Sequence, residues 1–242
     1  MLICAATGNA GKLKELRRIL EAQGHTVKSQ KELGITIEPE ETGATFAENA
    51  LIKARAICEA AGIATVADDS GLCVDALGGA PGVYSARYCG HHGDDEANND
   101  KLLAALAAVP EGQRAAAFHS AVCLYLPGGA SAMFEGDCPG RILFARKGHN
   151  GFGYDPLFAP DWVGDAAHRR LPNTDCRSYA ELEDWEKDAI SHRGAALRMM
   201  QRQLPGFLAR HQPGAGIGFE RDTKFDGDKL RRRSPRESAS GE

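Results

Sequence analysis

No two cysteines in this 242-residue sequence stand at Cys-x-x-Cys spacing, so a zinc site of that kind has no support. The seven cysteines, at 4, 58, 73, 89, 123, 138 and 176, are odd in number and scattered. That speaks against a disulfide framework, and most of them sit in apolar runs that read as buried free thiols of a reducing compartment. Positive charge is not in excess. A formal net charge of −4 argues against nucleic-acid binding as the main activity, which usually needs a basic stripe, but leaves room for a small anionic substrate. No apolar stretch approaches the roughly 20 residues that a membrane helix needs. Met1–Ala6 carries no basic leader, and Gly8 follows too soon for a signal peptide, so a cytoplasmic protein with no membrane partner is expected. No internal repeat is evident. What is present is a 43% hydrophobic content, enough for a sizeable core in one large or two small domains.

Strand and helix signals alternate in the first half. Leu2–Ala6 reads as a short strand, and a helix follows from about Gly11 to Glu21 with Leu13, Leu16, Ile19 and Leu20 on one face. Thr26–Lys28 resumes as a strand. Thr45-x-x-Glu48 is a capping box that opens a helix closed by Gly62. The apolar run Ala64–Ala67 reads as a buried strand ending at Asp69, with Leu72–Leu77 as a second strand and Asp94–Val109 as a third helix. Ala115–Leu126 and Ser131–Phe144 read as an antiparallel hairpin turning at Pro127-Gly128-Gly129, and Tyr154–Ala159 as another strand. The stretch from about 161 to 177 is polar and irregular, and reads as a loop. Ser178-x-x-Glu181 predicts a helical region to about Leu204, terminated by Pro205 and Gly206. From about 212 to 242 apolar periodicity is gone and a disordered tail is expected. Its Arg231-Arg232-Arg233-Ser234 run reads as solvated, with anion attraction as the alternative.

Five segments carry candidate chemistry. Asp68 and Asp69 adjoin in one strand, and because a strand alternates its side chains the two carboxylates cannot both enter the core. One at least faces a crevice, where it could hold Mg²⁺ or take a proton from water; a solvated Asp-Asp turn is the bland alternative. Thr7-Gly8-Asn9-Ala10-Gly11-Lys12 lies between a strand and a helix, and its backbone N–H groups, helix N-terminus and lysine outline a phosphate cradle. It is not a Walker loop, since the spacing is short and Leu13 replaces the Ser/Thr; a purely structural turn competes. Glu40-Glu41 could complete a Mg²⁺ site with Asp69 or simply favour the following helix dipole. Lys53 and Glu48 fall on the polar side of that helix and read as solvated. Phe152, flanked by Gly151 and Gly153, could stack a planar base with Asp155 offering acceptors, or could anchor a core beside a turn. Lys187, Ser191, His192 and Arg193 gather donors suited to a base carbonyl or a phosphate, or form an exposed helix stripe. His91 and His92 read as exposed, and His119 as satisfied within its strand.

These motifs, with Thr45–Ala50, Lys53-Ala54, Ala67–Leu72, Pro81–Tyr88, Gly151–Phe158 and Ser191–Gly194, resemble in order and spacing the inosine/xanthosine triphosphate pyrophosphatases. The resemblance spans about residues 1–205, which it implies to be the pyrophosphatase domain; the stretch at about 161–179 looks longer than usual and the tail has no counterpart. The implied fold is α/β: a long mixed, twisted sheet with flanking helices, in two lobes around a central substrate cleft. The implied reaction cleaves ITP, dITP and XTP between the α- and β-phosphates, giving the nucleoside monophosphate and pyrophosphate.

By the same resemblance Asp69 is the proton acceptor for the attacking water, and Glu40 and Asp69 are Mg²⁺ ligands with Asp68 or Glu41 as helpers. Thr7, Gly8, Asn9, Ala10, Gly11 and Lys12 bind the triphosphate. Ser70, Phe152, Gly153, Tyr154, Asp155, Lys187, His192 and Arg193 contact substrate, with Phe152 stacked on the base. Donors aimed at a 6-oxo group would oppose the 6-amino group of adenine. A homodimer is implied. A P-loop ATPase or kinase would need the missing Walker motif. A related pyrophosphatase acting on modified pyrimidines or on ordinary dTTP and UTP, and a non-catalytic nucleotide sensor or nucleic-acid-binding module, are the remaining rivals.

Overall fold

The computed structural model describes residues 1–167 and 169–211; the expected tail at 212–242 lies outside the described residues. Six strands form one mixed sheet in the order β2-β1-β3-β4-β5-β6. Strand β1 (Leu2–Ala5) runs parallel to β2 (Thr26–Ser29) and to β3 (Thr65–Val74). The partners β4 (Ala115–Tyr125), β5 (Ser131–Ile142) and β6 (Phe158–Pro160) continue it antiparallel. Parallel neighbours need a crossover, and helices α1 (Ala10–Glu21) and α2 (Phe46–Ala61) supply the two around β1.

Local chemistry explains both helices. Asn9 caps α1 by accepting from the Lys12 N–H at 3.0 Å, and Leu16 and Leu20 bury completely, each contributing about 1.5–3 kcal/mol. The predicted capping box at Thr45 and Glu48 is present, and Gly62, at φ +65°, closes α2 in the left-handed region that glycine adopts at little cost. Helix α3 (Asp95–Ala105) is N-capped by Asp94 and inserts Leu102, with Leu106 just beyond it, into the core.

Apolar side chains gather in two main clusters at opposite ends of the long strands. One joins Ile3, Leu16, Leu20, Leu124 and Phe134 to the helix that ends the described chain. The other joins Leu72, Leu102, Leu106, Phe118, Phe158 and Tyr179. These are the two lobes, and β3, β4 and β5 pass through both. A smaller cluster seats α2 on the reverse face of the sheet.

Five expectations need correction. Strand β3 does not stop at Asp69 but continues to Val74, because every residue from Thr65 to Val74 pairs with β4; Asp75–Leu77 is then a 3-10 turn. The strand expected at 154–159 shrinks to β6, since Gly151 and Gly153 at positive φ fold the preceding residues into turns. The expected loop contains a small hairpin, β7 (Trp162–Gly164) with β8 (Arg170–Pro172). The Ser178 capping box is real but opens a single 3-10 turn. Helices α4 (Asp184–Ile190) and α5 (His192–Arg210) follow, and Pro205 lies inside α5. Leu204 and Phe207 are buried on either side of that proline, so core packing carries the helix past the roughly 3 kcal/mol that an interior proline costs. Gly136 brings α5 directly onto β5: a Cβ there would stand 2.3 Å from the His192 carbonyl oxygen.

Candidate active site

Strand β1 makes its last pair with β3 at Ala5 and Val66, whereas β3 runs eight residues further. Beyond Val66 the flank of β3 opposite β4 therefore borders an opening. A cavity of about 610 Å³ occupies it, lined by residues of both lobes. Asp68 and Asp69 line it from alternate faces of the strand.

Asp68 points to the α5 side and is fully buried. It meets Lys12 Nζ at 3.0 Å and Arg193 Nη2 at 3.0 Å, and accepts from Ser120 Oγ at 2.5 Å and Ser70 Oγ at 3.1 Å. Burial alone would raise its pKa, but Arg193 and Lys12 hold the carboxyl well below the usual range. The network continues inward. Arg193, 1% exposed, also pairs with Glu15; Glu15 meets Lys187 Nζ at 3.1 Å, and Lys187 meets Asp155 at 2.6 Å. Lys12, Asp68, Arg193, Glu15, Lys187 and Asp155 thus alternate in sign beneath the cavity. Burial opposes the charge on Glu15, yet Arg193 and Lys187 outweigh it and hold its pKa down at about 2. For Lys187 burial is likewise outweighed, here by Asp155 and Glu15, and its pKa is raised.

Asp69 points the other way, toward α2. Its Oδ1 accepts from Lys53 Nζ at 3.3 Å, while its Oδ2 is buried without a hydrogen-bond partner. Such an orphan is costly unless a ligand or water meets it. Lys53 also meets Glu41 at 3.2 Å and donates to the Asp68 carbonyl at 3.1 Å. The expectation that Lys53 is solvated is therefore corrected: its side chain is 14% exposed, because the polar side of α2 here faces the cavity. Glu48 is exposed and serves the cap.

Of the cradle, Thr7, Gly8, Asn9 and Lys12 line the cavity; Ala10 and Gly11 do not. Gly11 instead gives room to Phe152, whose ring carbon would lie 2.5 Å from a Cβ at that position. Lys187 Nζ stands 5.0 Å over the same ring. Ser70, Phe152, Gly153, Tyr154, Asp155, Lys187, His192 and Arg193 all line the cavity. Asp155, expected to offer acceptors to a base, accepts from the Phe152 N–H at 2.9 Å and from Lys187. His192 stacks on Phe118 with centroids 4.9 Å apart. Burial, aided by Arg193, keeps the imidazole pKa well below its ordinary value, so the ring is neutral, and its Nδ1 is buried without a partner.

Glu40 is exposed and is not part of the lining, whereas Glu38 and Glu41 are. Among the described residues no group of three His, Cys, Asp or Glu side chains is arranged to hold a metal ion. A Mg²⁺ ion asks less, one or two carboxylates with waters completing its shell, and Asp69, with Oδ2 free and Glu41 held by the same Lys53, is chemistry that fits it. His91 and His92 are exposed, and His119 meets Asp137 at 2.6 Å. All seven cysteines are free, with Cys4, Cys58, Cys123 and Cys138 buried. No described helix is long and apolar enough to cross a membrane.

Glu15 and Ser120 had no signal in the sequence, as each lies in an ordinary helix or strand pattern. A buried Asp68 requires cations and donors, but nothing short of the fold says which residues provide them.

The model of the Ham1 family matches residues 3–203. The dITP/XTP pyrophosphatase of Streptomyces avermitilis is 48% identical over 195 residues, 80% of this chain and 92% of that protein. The one from Haemophilus influenzae is 48% identical over 204 residues, 84% and 98% of the two chains. Among solved structures, the Staphylococcus aureus Ham1 protein matches with a TM-score of 0.70 at 36% identity, covering 85% of this chain and 99% of that one. The Mycobacterium abscessus nucleoside-triphosphatase, also described as dITP/XTP pyrophosphatase, matches with a TM-score of 0.63 at 47% identity, covering 83% and 98%. The family match runs from β1 into α5 and takes in every segment that lines the cavity, and the chain belongs to the Ham1 family.

Proposed function

We propose that this protein hydrolyses dITP, ITP and XTP between the α- and β-phosphates, releasing the nucleoside monophosphate and pyrophosphate, and so clears deaminated purine nucleotides. The observation that carries the reading is the buried, partnerless Asp69 Oδ2 at a cavity whose relatives bear the name dITP/XTP pyrophosphatase. Asp69 accepts the proton of the attacking water. Lys53, bonded to its Oδ1, fixes the carboxylate so that Oδ2 faces the phosphate. Lys12 and the N-terminus of α1 neutralise the triphosphate, where positioning and charge supply most of the rate.

Mg²⁺ is the proposed cofactor, held by Asp69 with Glu40 or Glu41; bound there it would offset charge on the phosphates. The base stacks on Phe152. Lys187, a donor without an acceptor, and His192 Nδ1 suit a 6-oxo group, and Lys187 opposes an adenine amino group. Arg193 gives Nη1 and Nη2 to Glu15, Asp68 and Ser70, while its Nε, buried without a partner, remains a donor for substrate. A homodimer and a cytoplasmic location belong to the same proposal.

The test is a panel of nucleoside triphosphates assayed for pyrophosphate with and without Mg²⁺. Pyrophosphate from ITP, dITP and XTP only with metal is expected; orthophosphate, or equal rates on ATP and GTP, would overturn the reading.

A further inference from the structure

Gly153 follows the ring that the base would stack on, and both of its backbone groups are gripped by one helix. Its N–H donates to Asp95 Oδ2 at 2.7 Å, and its C=O accepts from Asn99 Nδ2 at 2.9 Å. Asp95 and Asn99 are four residues apart on α3 and so share a face. Asn99 is 1% exposed, and its Oδ1 has no partner, so the bond to Gly153 is the one that fixes its amide. Gly153 stands at φ +61°, a left-handed conformation that glycine adopts without steric cost.

The helix that grips is itself anchored. Leu102 and Leu106 are fully buried, Lys101 donates to the Tyr88 carbonyl at 2.6 Å, and Asn98 accepts from the Cys89 N–H at 2.7 Å. On the opposite side the Phe152 ring lies in the space left by Gly11, under Lys187. The aromatic platform is therefore held from two lobes, by α1 at Gly11 and by α3 through Asn99 and through Asp95, which itself lines the cavity.

We infer that Asp95 and Asn99 are positioning residues for base recognition: by holding Gly153 they set the plane of Phe152, and with it the affinity and selectivity for the purine. This rests on the nucleotide reading above. The alternative is that the two bonds serve only to seat α3.

Steady-state kinetics of the full chain with Mg²⁺ on ITP and ATP separate these. Asp95→Ala should raise KM for ITP about fivefold with kcat within about twofold, a loss of binding shared by ground and transition states, and should narrow the preference over ATP. Asp95→Asn keeps an oxygen that accepts from Gly153 and should restore KM. Asn99→Asp cannot donate to the Gly153 carbonyl and should reproduce the Ala phenotype. Asp94→Ala removes the N-cap of the same helix; it should lower Tm and leave KM alone. The inference is overturned by an unchanged KM in both Asp95→Ala and Asn99→Asp, by Asp95→Asn failing as badly as Asp95→Ala, or by Asp94→Ala raising KM equally. A wild-type chain that releases no pyrophosphate from any nucleotide would instead sink the functional reading itself.

Discussion

Asp68 and Asp69 leave one strand in opposite directions and meet different lysines, Lys12 on one face and Lys53 on the other. The first carboxylate is met by four groups, Lys12, Arg193, Ser70 and Ser120, while the second keeps one oxygen free. Adjacent acids with the same sequence signature thus divide into a fully paired carboxylate and one with a free oxygen, the group we propose as general base.

That division predicts opposite mutational outcomes. Asp69→Asn should fold normally and lose at least about 10²-fold in kcat as the general base is removed. Asp68→Asn should chiefly lose stability, about 3–5 kcal/mol, because Arg193 is left buried with one partner fewer. Turnover and chemical denaturation of both variants test the pair. Near-normal turnover in Asp69→Asn would refute its role.

Glu15 should govern acid stability. Its folded pKa of about 2 lies below the value of about 4.3 in an unfolded chain. A depressed carboxyl stabilises above the unfolded value, and that contribution is lost as pH falls from about 4.3 toward 2. Urea midpoints should therefore drop over that window. Glu15→Gln should be destabilised at pH 7 and show a shallower acid slope; parallel slopes would contradict this.

The capping box at Thr45 and the hairpin read at 115–126 and 131–144 were legible because each rests on neighbours in sequence. The opposite faces of Asp68 and Asp69 were legible from strand alternation alone. The end of β3 was not, since pairing with β4 fifty residues away extends it. Lys53 misled for a related reason. Helical spacing separates an apolar from a polar side but cannot say whether the polar side meets bulk water or a cavity. At Pro205 a local rule lost to burial of Leu204 and Phe207.

Truncation follows from that last point. Ending the chain after Leu204 cuts α5 and removes Phe207 from the core, which should cost about 2–3 kcal/mol from the lost apolar burial. Ending it after His211 should leave activity and Tm unchanged, and we propose that boundary for the catalytic domain in place of residue 205. Thermal melts of the two truncations decide.

Thiol chemistry should split the cysteines. Burial pushes Cys4 and Cys138 up to about 11 and Cys123 up to about 12, so the thiolate that reacts is scarce at pH 8. Disulfide-exchange titration of the native chain should find these three and Cys58 slow, with Cys73, Cys89 and Cys176 the fast class. Rapid labelling of all seven would contradict the packing.

Past Val66 the long strand pairs with no other strand of the described residues on its β1 flank, apart from a single bridge from Cys73 to Pro81, and such an edge would ordinarily invite another chain to add a strand there. Side chains and one loop close it instead: Lys53 takes the Asp68 carbonyl, Ser85 Oγ the Leu72 N–H, and the Ala80 carbonyl the Val74 N–H. The same residues that frame the catalytic opening therefore guard against intermolecular zippering, and variants that loosen Lys53 or Ser85 should aggregate before they unfold.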